Sequence, residues 1–131
     1  MDNGIKNLID IIETLESRIN SYWNFYIVVV VATIGWLMSS KTPFTNPQGV
    51  ALTIAIGLFL LANFLVLRAA TKRVTAFEAE LNAASQKQEF KSSLLKKELS
   101  SASAPNRLLA SYVLHGIIDV AVMYAIWSKL A

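Results

Sequence analysis

Three apolar runs, each about as long as a bilayer core is thick, constrain this chain more than any other feature. They are Tyr22–Met38 (YWNFYIVVVVATIGWLM), Val50–Leu67 (VALTIAIGLFLLANFLVL) and Leu108–Trp127 (LLASYVLHGIIDVAVMYAIW). At 1.5 Å per residue, a helix of about 17–20 residues crosses roughly 30 Å of hydrocarbon. With 54% hydrophobic and 16% charged residues in 131 positions, the chain is too apolar for one small soluble domain, which must leave much of its surface in water. The charge collects between the runs, which is the pattern of a membrane protein.

The reading is an all-α integral membrane protein with three transmembrane helices and a small cytoplasmic helical bundle. Its segments are an amphipathic helix over 1–21, spans at 22–38, 50–67 and 108–128, an outer loop at 39–49, a charged helical segment at 68–107 and an outer tail at 129–131. The first run is not a cleaved leader, because Asp2, Asp10, Glu13 and Glu16 precede it and no small-residue cleavage site follows. Tyr22, Trp23, Trp36, Tyr124 and Trp127 stand where headgroups should lie.

Orientation follows from the basic residues. Lys6 and Arg18 precede the first span, and Arg68, Lys72, Arg73, Lys87, Lys91, Lys96, Lys97 and Arg107 lie between the second and third. Only Lys41 and Lys129 of the 12 basic residues fall on the other side. The positive-inside rule then puts the N-terminus in the cytoplasm and the C-terminus outside, in the cell membrane. The same placement makes the net charge of +3 a matter of topology, not of nucleic-acid binding.

Outside the spans, Ile5, Leu8, Ile12, Leu15 and Ile19 recur at three- and four-residue steps, forming a seam that packs within the chain or between subunits. No residue breaks the helix between Arg18 and Trp23, so it should run into the first span. The loop SSKTPFTNPQG makes a tight antiparallel hairpin of spans one and two. Span two should continue through residues 69–84, with Val74, Phe77 and Leu81 on one face, and break near Ser85–Gln88. A second helix over Glu89–Leu99, placing Phe90, Leu94 and Leu95 or Leu99 together, then returns the chain or lies along the membrane surface. An unbroken helix to Ser100 would end roughly 48 Å from the membrane, and the six residues SASAPN reach only about 20 Å. The out-and-back pair and the N-terminal helix would form a three-helix bundle.

His115 and Asp119 are the most informative polar residues. They stand four apart on span three, on one face, with Asp119 near mid-membrane, where a carboxylate costs roughly 2.5–3.5 kcal/mol. Counted from the cytoplasmic edge, Asp119 and Thr33 lie about 16 Å deep, and Gly57 about 15 Å. Asn63 falls within about 5 Å in depth of His115. Gly49, Thr53 and Gly57 form a small-residue face on span two, and Ala121 and Ala125 a weaker one on span three. The expected packing joins these faces, with Asp119 meeting Thr33 or Thr53 and His115 meeting Asn63. Such a network locks helices together, or it conducts a proton or cation.

No enzyme chemistry stands out. Cysteine is absent, and His115 is the lone histidine, which leaves metal and haem sites short of ligands. No cofactor is expected. Ser111, His115 and Asp119 imitate a hydrolase triad, but on one helix the three side chains project in parallel and no oxyanion hole accompanies them. Two functions remain ahead of a third, a cofactor- or quinone-binding subunit that uses His115. One is a homo-oligomeric channel or pore-forming effector, since three spans cannot wall a pathway alone. The other is a membrane anchor that recruits a soluble protein through its cytoplasmic helices.

Overall fold

The computed structural model describes residues 3–100 and 107–130. The connector 101–106, used above to limit the chain's reach, and the terminal Ala131 lie outside the described residues. Four helices account for nearly all of the described chain: α1 (Asn3–Ser39), α2 (Asn46–Gln86), α3 (Ser93–Ser100) and α4 (Arg107–Trp127). α1, α2 and α4 are each long and apolar enough to cross a membrane. Only 22, 17 and 17% of their apolar windows are buried, so most of their apolar side chains face outward.

α1 is continuous because neither proline nor glycine occurs between Ile5 and Ile34. At its far end the chain turns through residues 40–45 and α2 starts at once. Thr45 caps α2, its hydroxyl accepting from the Gln48 N–H while the Gln48 side chain accepts from the Thr45 N–H. Pro47 sits in the first turn, where its missing N–H leaves no hydrogen bond unmade. The C-terminal residues close this end. The Phe44 N–H donates to the Lys129 carbonyl at 2.7 Å, and Lys129 Nζ donates to the Ser40 carbonyl at 3.0 Å.

Beyond their apolar runs, α1 and α2 extend side by side as an antiparallel stalk. Ile5, Ile12, Leu15 and Ile19 are buried and Leu8 is half-buried. Leu15 and Ile19 pack on Leu67 and Val74, with Ala70 and Phe77 alongside. The Leu15–Ile19 part of the seam is thus covered by α2 of the same chain.

The return segment differs from expectation. α2 ends at Gln86, and α3 begins only at Ser93, because the Ser92 hydroxyl accepts from the Leu95 N–H and starts the helix there. α3 packs on α2 and makes no contact with α1. Leu94 is 74% exposed, so Phe90, Leu94 and Leu95 do not make one buried face, and the stalk is a helix pair with α3 at its side, not a mutual three-helix bundle. An eight-residue helix offers too little apolar surface to bridge two neighbours.

α4 returns alongside both long helices. At its first residue Arg107 reaches Glu16 of α1 at 3.1 Å and Glu78 of α2 at 3.2 Å, which fixes its starting height. The core between the three apolar stretches is Tyr26, Val30, Leu37, Leu60, Val122 and Ile126.

Candidate functional site

His115 projects from α4 into the junction of all three long helices and is 1% exposed. Its ring lies flat on Tyr26 of α1, centroids 4.3 Å apart at 20°, and meets the edge of Phe64 of α2 at 5.3 Å. Trp23 of α1 closes the cage at 5.8 Å. Trp23 was expected at the headgroups. It turns inward instead, edge-on to Tyr26, because the cage supplies an aromatic surface on which an indole can pack.

Both imidazole nitrogens are engaged. Nδ1 lies 2.7 Å from Asp119 Oδ2, and Nε2 lies 3.2 Å from Asn63 Oδ1 of α2. The other carboxylate oxygen of Asp119, Oδ1, accepts from the Tyr26 hydroxyl at 2.5 Å. That hydroxyl also lies 3.4 Å from the His115 carbonyl. One polar cluster therefore ties α1, α2 and α4 together. No nitrogen is left for Ser111, so the triad-like spacing on α4 builds no nucleophile.

The cluster links a proton to an amide. Each imidazole nitrogen donates or accepts according to the tautomer, and Asn63 presents its oxygen to Nε2. A half-turn of the amide would present its NH2 group instead, so Asn63 can serve either form of Nε2.

The threonines do not join. Thr33 donates to the Val29 carbonyl at 2.7 Å, and Thr53 to the Gly49 carbonyl at 2.7 Å. A helical threonine satisfies its hydroxyl on the preceding turn and need not reach across. Tyr26, which sequence reasoning overlooked, takes the place assigned to them. The ion pair at Arg107 explains the slip. It sets α4 level with Glu16, six residues (about 9 Å) before Tyr22, whereas depth counting started both spans from one edge. Since α1 and α4 run parallel, Asp119 comes level with residue 28 of α1, within reach of Tyr26 and about 7 Å short of Thr33.

The small-residue face of α2 does meet α4, but by another packing. Gly49 lies under the Leu130 side chain, which a Cβ would overlap, and Gly57 faces the Met123 methyl. Large side chains of the returning segment fill the hollows left by the glycines. Ala125 packs against the core, whereas Ala121 is exposed, because Val122 and Ile126 occupy the inward side of α4.

Asp119 is not wholly enclosed. Its side chain is 27% exposed and lines a groove of about 450 Å³ on the outer flank of α2 and α4, walled by Gly57, Leu61, Phe64, Tyr112, Gly116 and Met123. Neither a protein-family model, nor a curated protein, nor a solved structure matches this chain. The chemistry of the cluster is therefore the ground for a functional reading.

Proposed function

We propose that this chain is a three-span protein of the cell membrane, with its N-terminus and charged stalk in the cytoplasm and its C-terminus outside. It works as a homo-oligomeric channel for protons or small cations, with Asp119 as the ionisable group. One observation carries this reading. Asp119 is the lone carboxylate of the three apolar runs, held along one edge by Tyr26 and His115 and turned at the other toward a lateral groove. The interior cannot serve as the path, because Tyr26, Leu60, Val122 and Ile126 fill it. A conduit would run where the grooves of neighbouring copies meet, and an intramembrane carboxylate facing lipid is costly enough to favour such a meeting.

The test is flux into liposomes holding the purified protein, driven by a pH gradient or a voltage. Asp119→Asn keeps size and hydrogen bonding but cannot ionise, so flux should vanish while the oligomer persists. His115→Gln should shift the pH dependence of flux, since it removes the imidazole that lies 2.7 Å from the carboxylate. Absence of flux from the wild-type chain at every pH and voltage would refute the channel.

A second reading is favoured by a different observation. Both carboxylate oxygens and both imidazole nitrogens find partners within one chain. A network so satisfied suits an anchor whose stalk and α3 recruit a soluble protein. On that reading Asp119→Asn leaves every activity intact.

A further inference from the structure

The three basic side chains that follow the apolar run of α2, Arg68, Lys72 and Arg73, are all exposed, as is Arg18 at the matching height of α1. None of the four has an ion-pair partner among the described residues. Arg107, close by, is held between two carboxylates. The contrast follows from where the acids lie: after Glu16 no carboxylate occurs on α1, and on α2 none occurs before Glu78. Helical steps of 100° put Arg68 and Lys72 on one flank of α2 and Arg73 on the other, with Arg18 on the Arg73 side. The result is a collar of unneutralised cations around the stalk where it leaves the apolar layer.

We propose that this collar binds the phosphate groups of anionic phospholipids in the cytoplasmic leaflet, making the chain selective for phosphatidylglycerol-type lipid over zwitterionic lipid. The proposal rests on the membrane reading above. Charge complementarity identifies the occupant. The collar begins one residue past the apolar edge at Leu67 and ends six residues, about 9 Å, past it, which is headgroup height. Long arginine and lysine stems reach phosphates there while lying along apolar surface. Each such cation is worth about 1 kcal/mol near an anionic leaflet, or about fivefold in lipid preference.

The experiment uses the full chain in a Trp36→Phe/Trp127→Phe background, which leaves Trp23, near the collar, as the sole indole. Its fluorescence is quenched with tail-brominated phosphatidylglycerol or phosphatidylcholine in mixed bilayers. Preference for the anionic lipid should be tenfold or more at low salt, falling to about equal at 1 M salt, where the screening length is about 3 Å. Arg68→Gln/Lys72→Gln/Arg73→Gln should abolish it, and Arg68→Lys/Arg73→Lys should keep it. If the neutralised variant does not fold, the salt series on the parent chain carries the test. Equal quenching by the two lipids at low salt would overturn the lipid site and leave the membrane reading standing. No quenching by either would overturn both. Loss of the preference on adding millimolar inorganic phosphate would overturn the lipid as occupant in favour of a soluble anion.

Discussion

Tyr26→Phe isolates the bond that joins α1 to α4. The substitution keeps the ring that stacks on His115 at 4.3 Å and removes only the hydroxyl that donates to Asp119 at 2.5 Å. Hydrogen bonds to a charged group contribute about 1.5–3 kcal/mol in soluble proteins, whereas interhelical bonds in membranes average about 0.6 and reach about 1.7. Two features put this bond at the upper end of the membrane range. Tyr26 is fully buried, and Asp119 has no other hydroxyl donor among its partners. The expected loss is about 1–2 kcal/mol, a five- to thirty-fold shift in the unfolding equilibrium measured in mixed micelles.

A double-mutant cycle with Asp119→Leu, which removes the acceptor, sharpens the test. If the hydroxyl acts through the carboxylate, the two losses should fall short of additive by about 0.5–1.5 kcal/mol. Strict additivity would mean that the hydroxyl does not act through the Asp119 carboxylate. Tyr26→Phe keeps the ionisable group, so on the channel reading flux survives with an altered pH profile, whereas Asp119→Asn abolishes it.

Two further predictions address the frame of the molecule. A reporter fused after Ala131 should be extracytoplasmic and one inserted at Gln86 cytoplasmic, and the reverse pattern would invert both the orientation and the lipid collar. Ile12→Asp/Leu15→Asp puts carboxylates at two buried positions of the stalk seam, 8 and 6% exposed, and should cost more than the 2–5 kcal/mol of a single large-to-small core change. Unchanged thermal stability would show that α1 and α2 do not depend on that seam.

The parts of this architecture legible in the sequence are those set by local pattern. Hydropathy marks the three long helices, the three- and four-residue spacing marks Ile5, Ile12, Leu15 and Ile19, and the reach of the chain places a break near Gln86. The neighbourhood of His115 and Asn63 also follows from depth, because both lie near the charged ends of their spans. What depends on long-range register is not legible. Arg107, Glu16 and Glu78 read as three scattered charges in the sequence, yet their meeting slides α4 by more than a turn relative to a count from aromatic edges. That slide exchanges Thr33 for Tyr26 at the carboxylate and draws Trp23 in from the rim to the histidine. It also changes the chemistry, since a helical threonine is content with its own backbone while a buried phenol must find an acceptor. An ion pair in the stalk thus selects which side chain holds the His115–Asp119 cluster, which begins about 12 Å further along α4. Arg107→Gln should accordingly loosen the Tyr26–Asp119 bond as well as the stalk, and the Tyr26→Phe penalty measured in that background should shrink. A penalty of full size would show that the register is fixed by the core at Val122 and Ile126 instead.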